Sequence, residues 1–161
     1  MITMRKFIIF FIIFFIVGCG FSPIYKNTGQ NLKLDDLNMK FEGDVSYDVR
    51  EELENLISSN QSDAKYNILI TAKEEFVPVI INTNGTVSKY QIDIKLLFKL
   101  IDTDNEVIFE DISVGFAQYD VLVSEIDNDD LRRQMLKSAT NDAASLMITK
   151  IQSKLSLNND S

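Results

Sequence analysis

The chain has 161 residues, 16 basic and 24 acidic, for a formal net charge of −8, with one cysteine and neither histidine nor tryptophan. The negative balance opposes attraction to nucleic acid or to an anionic surface. Without histidine and with a single thiol, nucleophile–His pairs, Cys/His zinc sites and an intrachain disulfide are excluded, so the expectation is not an enzyme.

Met1 to Lys6 ends in two basic residues, Phe7 to Val17 is almost wholly Ile and Phe, and Gly18-Cys19-Gly20 follows. A basic lead, a short apolar run and a small residue before a cut site make a secretory signal peptide, expected over residues 1–18. The run is shorter than the roughly 20 residues of a membrane span. Ile16-Val17-Gly18-Cys19 resembles a bacterial lipobox. That resemblance implies cleavage before Cys19 and lipid, palmitate among it, on its thiol and amine. No cofactor is expected beyond this covalent lipid. Each buried methylene contributes about 0.8 kcal/mol, and two chains already hold a protein to a bilayer. Gly20, where enterobacterial sorting would need Asp for retention, favours the outer membrane. Loss of Arg5 and Lys6 with the signal shifts the net charge from −8 to −10.

The lipidated terminus and a linker are expected over 19–33, with Pro23 disfavouring helix. The domain is expected over 34–157 and a disordered tail over 158–161. Leu37, Met39 and Phe41 alternate, which predicts a short strand within Leu34 to Phe41. Val45, Val49, Leu53, Leu56 and Ile57 then recur at helical spacing, with Asp44 or Ser46 as cap. Tyr66, Ile68, Ile70 and Ala72 alternate as a half-buried strand that is expected to stop by Phe76, ahead of Pro78. Asn84-Gly85 marks a hairpin turn. Tyr90 to Leu100 shows the strongest alternation, and Asp102 to Asn105 is a second turn. Val107 to Tyr119 returns as a strand of conflicting parity. Val107 and Phe109 take one phase and Ile112, Val114 and Phe116 the other, so a β-bulge is expected near Glu110-Asp111. Leu131, Met135, Ala139, Ala143, Met147, Ile151 and Leu155 form the stripe of a long final helix, capped by Asp127 or Asn128 and about 40 Å long.

The order is β-α-β-β-β-α. One apolar stripe per helix and one apolar sheet face predict an α+β two-layer sandwich. Its sheet is four-stranded and mostly antiparallel, with both helices on one face.

Cys19-Gly20-Phe21-Ser22-Pro23-Ile24-Tyr25 resembles the Cys-Gly-Phe-x-Pro-Leu-Tyr opening of lipopolysaccharide-assembly lipoproteins of the LptE family, in its alphaproteobacterial form. Ala117-Gln118-Tyr119-Asp120, ahead of the final helix, is similar to a second family feature. The resemblance implies an outer-membrane, periplasm-facing protein. It would plug the lumen of an LptD-type β-barrel, help that barrel assemble and assist delivery of lipopolysaccharide to the outer leaflet. It implies no bond chemistry. The alternative is a lipid-anchored periplasmic adaptor in another envelope transport or secretion complex.

Phosphates of a glycolipid need cations. Lys89, Lys95 and Lys99 lie at even spacing on one strand and so share a face, as candidate lipopolysaccharide contacts. Val79, Ile80 and Ile81, with Asn84, form an apolar loop expected to be exposed and to meet the barrel. Carboxylate runs such as Asp127 to Asp130 lack calcium-loop spacing, and no metal site is expected.

Overall fold

The computed structural model describes residues 37–57 and 64–159. Cys19, the signal segment, the linker and the expected strand start at Leu34 lie outside the described residues.

The elements run β1 (Leu37–Phe41), α1 (Tyr47–Leu56), β2 (Tyr66–Ile81), β3 (Val87–Ile101), β4 (Val107–Asp120) and α2 (Glu125–Asn159). The four strands form one sheet in the order β1-β2-β3-β4. Because α1 carries the chain back to its starting end, β1 pairs with β2 in parallel, Leu37 opposite Tyr66 and Phe41 opposite Ile70. The other two junctions are antiparallel hairpins. The expected α+β sandwich is the observed one.

Alternation decides which face is buried. Ile68, Ile70, Ile92, Ile94, Leu96, Phe98 and Leu100 point to the helix side and are almost wholly buried. Val49 and Leu53 of α1 and Leu136, Ala139, Ala143, Ala144, Met147 and Ile151 of α2 meet them in a single core. Phe98 meets Phe109 edge to face at 5.8 Å between ring centres. α1 is capped by Ser46, whose hydroxyl accepts from the Val49 N–H at 3.5 Å. The helices are tied by Lys137 to Glu51 at 3.2 Å and by Asn141 to Glu52.

Four expectations are corrected. β2 does not stop before Pro78 but continues to Ile81. β1 ends at Phe41 and Glu42 N–H donates to the Ile70 carbonyl, so even-numbered residues of β2 turn their backbone groups away from β3. The missing N–H of Pro78 therefore faces a free edge and costs the sheet no bond. Second, the bulge lies at Ile108, between the pairs Leu100–Phe109 and Ile101–Val107, and pairing runs unbroken through Glu110 and Asp111.

The third correction follows from the second. With no bulge to reverse them, Ile112, Val114 and Phe116 stay on the face away from the helices. Ser113, Gly115, Ala117 and Tyr119 face inward instead. A Cβ on Gly115 would sit 2.0 Å from the Ala139 carbonyl oxygen and 2.5 Å from the Ala143 nitrogen. The small side of β4 lets the alanine stripe of α2 pack directly on strand backbone. Fourth, α2 begins three to four residues earlier than expected. Ser124 is its cap, its hydroxyl accepting from Asp127 N–H at 3.4 Å and its carbonyl from Asn128 N–H at 3.0 Å. At 35 residues, α2 is about 52 Å long.

Candidate binding surface

The helix-free face of the sheet is covered by nothing among the described residues. Its central row, on β3, is Lys89, Gln91, Asp93, Lys95, Leu97, Lys99 and Ile101. The expected lysines do share this face. They do not form a bare basic strip, because each has a carboxylate nearby. Lys89 pairs with Asp120 at 3.2 Å and Lys95 with Glu75 at 3.4 Å. Lys99 stands opposite Glu110 in the strand register. Gln91 donates to Asp93 and accepts from Gln118, extending the network across β3 and β4.

Beside the lysines runs the outward row of β4. Ile112 is 48% exposed, Val114 43% and Phe116 61%. Leu97 is the register partner of Ile112 and Lys95 that of Val114, so cation and apolar side chain alternate across the junction. This combination suits an amphiphile with charged and apolar parts better than a purely ionic ligand.

A second exposed region lies at one end of the sheet. The β2–β3 hairpin projects past the last β3–β4 pair, Lys89–Asp120, and past β1, which reaches only Ile70. Val79, Ile80 and Ile81 are exposed there, but as the arm of β2, not as a loop. The β-propensity of this Pro-Val-Ile-Ile run, paired to Val87–Tyr90, outweighs the breaker at its head. The turn itself is held by its own side chains. Asn84 Oδ1 accepts from the Thr86 N–H at 3.1 Å and from the Thr86 hydroxyl at 2.7 Å. Asn82 donates to the Thr86 hydroxyl at 3.0 Å, and Gly85 takes φ +85°.

At the same end, Val121 N–H donates to the Ser88 carbonyl at 2.9 Å and draws in the segment after β4. Val121, Leu122, Val123 and Ile126 are exposed there, Val123 fully. An apolar end built from β2 and the β4–α2 connection thus replaces the single expected loop. The sequence signal was the run Val121-Leu122-Val123, apolar yet outside any periodic element.

The Ala117-Gln118-Tyr119-Asp120 motif contributes to both faces at this end, Ala117 and Tyr119 inward and Gln118 and Asp120 outward. Tyr119 is buried and stacks on Tyr90 at 5.8 Å, while Asp120 holds Lys89. Burial pushes the Tyr119 phenol above its ordinary value, partly offset by the Arg132 charge. Lys137, bonded to Glu51, is likewise held above its usual value. A shallow cleft of about 130 Å³ between Asp48, Glu74, Phe76, Arg132 and Arg133 is of mixed charge and too small for a glycolipid.

The profile of the LptE family, described as lipopolysaccharide-assembly, matches residues 28–151. No curated protein sequence matches the chain. Among solved structures, a candidate lipoprotein of Caulobacter crescentus superposes with a TM-score of 0.62 at 16% identity, covering 78% of this chain and 93% of that one. Rare lipoprotein B of Shewanella oneidensis gives 0.56 at 15% identity, with coverage of 78% and 98%. A minor lipoprotein of Acinetobacter baumannii gives 0.54 at 13%, with coverage of 76% and 94%. At these identities the likeness is one of fold.

Proposed function

Since the chain belongs to the LptE family of lipopolysaccharide-assembly proteins, we propose that it serves that assembly as a lipid-anchored, non-enzymatic plug in the lumen of an LptD-type outer-membrane β-barrel. Its role lies in lipopolysaccharide assembly. The finer reading, barrel assembly and delivery to the outer leaflet, is carried by the apolar end formed by Val79, Ile80, Ile81, Val121, Leu122 and Val123. An exposed apolar region of this kind, on a domain of high net charge, marks a contact with another surface. Cys19 is the proposed lipid-bearing residue, with the signal peptide removed before it. Lys95 and Lys99, beside Ile112 and Val114, are the proposed contacts for the phosphorylated, acylated headgroup of lipopolysaccharide, and Lys89 extends that row.

The decisive experiment is affinity purification of the tagged protein from gently extracted outer membranes, with its companions identified by mass spectrometry. A stoichiometric large β-barrel is expected. An inner-membrane complex in its place would overturn the plug and favour a periplasmic adaptor. Cys19→Ala is expected to leave an unprocessed, mislocalised precursor, and normal processing of that variant would remove Cys19 from the account. Lys95→Glu with Lys99→Glu is expected to weaken lipopolysaccharide binding, and unchanged binding would return these lysines to a solvated face.

A further inference from the structure

The edge strands are β1 and β4, and because β1 is short, β2 is also open beyond Ile70. On β2 the free stretch beyond Ile70 carries Pro78, which removes one edge donor. Arg132 of α2 lies over the Phe76 ring at 5.8 Å, so the helix start also crowds that stretch.

On β4 the pattern of backbone bonds can be read from one end. Val121 donates to Ser88, so the next pair, Asp120–Lys89, is not mutually bonded, and the alternation continues down the strand. The even-numbered residues Glu110, Ile112, Val114, Phe116, Gln118 and Asp120 therefore turn N–H and C=O away from β3. One of them is closed by the protein itself. Asp111 Oδ1 accepts from the Ile112 N–H at 2.7 Å, and Lys150 Nζ donates to the Ile112 carbonyl at 2.7 Å. Lys150 and Asp111 are joined at 2.8 Å. Beyond this clip, Val114, Phe116 and Gln118 present six backbone groups that nothing among the described residues pairs.

The surroundings of this open run fit a strand. Its outward side chains include the exposed Val114 and Phe116. On the helix side, Asp142 stands over Gly115 and Lys150 over Ile112, with the exposed Leu146 midway between them on the same helix face. A strand laid beside β4 would meet Val114 and Phe116 on one face and Leu146, flanked by Asp142 and Lys150, on the other. The run is bracketed by the carboxylates Glu110 and Asp120, and it continues into the apolar Val121–Val123 segment.

We propose that the β4 edge from Val114 to Gln118 is a strand-addition site that takes an extended, alternately apolar segment of the barrel partner, with basic residues at its ends, while the Asp111–Lys150 clip on Ile112 sets where that added strand stops. The inference rests on the plug reading for its occupant. Main-chain bonds supply the affinity of such an addition and the flanking side chains its register. A second copy of this chain is disfavoured by charge. Antiparallel pairing of two β4 edges about Gly115 sets Glu110 of each copy against Asp120 of the other, between chains of net charge −8.

The test is amide hydrogen exchange at single-residue level, on the complex gently extracted from outer membranes and on the isolated full chain. The amides of Val114, Phe116 and Gln118 are expected to slow about 100-fold or more in the complex. Those of Ser113, Gly115 and Ala117, bonded to β3 in both states, are the internal reference. Fast edge amides in an extract that contains the barrel overturn strand addition and leave the plug reading intact. An extract without the barrel overturns the plug reading, and slow edge amides there assign the edge to another occupant and overturn this one. As a second arm, Val114→Pro removes an edge donor that bonds nothing among the described residues. It is expected to keep the far-UV circular dichroism spectrum and to lower barrel retention about tenfold or more. Full retention overturns the proposal.

Discussion

Gly115→Ala adds one methyl group, and the structure leaves no room for it. The new Cβ would lie 2.0 Å from the Ala139 carbonyl oxygen and 2.5 Å from the Ala143 nitrogen, where ordinary contact starts near 3.4 Å. Both obstacles are backbone, so no side chain can rotate aside. α2 must retreat from β4 by the difference, roughly 1.4 Å along the shorter contact. Overpacking a close-packed interface costs about 1–3 kcal/mol. A gap of even 0.5–1 Å forfeits about a quarter to a half of each dispersion contact. The retreat would loosen Ala139, Ala143, Ala144 and Met147 together, all fully buried. The expected loss is about 3 kcal/mol, at the upper end of the overpacking range. For a chain of this size that lowers Tm by roughly 6–12 °C. Gly43→Ala is the matched control. Gly43 has φ +79° and nothing within 4 Å, so the same methyl meets backbone strain but no obstacle. Its expected cost is about 1–2 kcal/mol. Urea unfolding followed by circular dichroism reads both. A Gly115→Ala protein within about 0.5 kcal/mol of the parent, the range of ordinary surface changes, would refute the close approach of helix to strand. So would Gly43→Ala proving the more damaging of the two.

Ser113 carries a buried hydroxyl with no hydrogen-bond partner among the described residues. Ser113→Ala is expected to leave stability unchanged or raise it by about 1 kcal/mol, and a loss of that size in urea unfolding would show that the hydroxyl is bonded. Phe98 is fully buried against Phe109. Phe98→Ala should lower stability by about 3–5 kcal/mol, measured in the same way. The hydrogen bond from Lys150, then that from the Ile112 N–H, holds the Asp111 carboxyl below its ordinary value. A depressed carboxyl contributes stability that is present above its unfolded value, near pH 4, and is lost as pH falls through the lower folded value. Lys150→Met should raise the Asp111 titration, followed by carbon-13 NMR, toward the usual carboxylate range and shrink that acid-side loss. A titration that does not move would refute the clip on β4.

The strongest local patterns carried over into the fold. Alternation from Tyr90 to Leu100 and from Tyr66 to Ala72 selects the buried sheet face, because successive strand side chains point to opposite sides. The stripe from Leu131 to Leu155 selects the buried side of α2, and Asn84-Gly85 selects a hairpin. Lys89, Lys95 and Lys99 share a face for the same reason of period two. The family, too, was legible, in seven residues from Cys19 to Tyr25.

What escaped were fits between particular pairs of elements, within a layer order that the patterns did predict. Ile112, Val114 and Phe116 are the bulkiest residues of their stretch, and hydropathy alone turns them inward. Ser113, Gly115 and Ala117 win that side because α2 presents alanines there, and small against small brings helix backbone onto strand backbone. Hydropathy patterns weigh transfer from water residue by residue and contain nothing about fit between two surfaces. The continuation of β2 through Pro78 had a similar cause, since only the short reach of β1 makes that position an edge. The apolar end needed the β2–β3 hairpin and the β4–α2 connection brought together by the Ser88–Val121 bond, and the Ile112 clip needed Lys150, 38 residues away in sequence. Sequence by itself determined which elements form, which face of β3 is polar and what kind of protein this is. Tertiary packing alone decided which side of β4 looks outward and which of its backbone groups stay open, because volume and edge pairing belong to pairs of elements and to no single one.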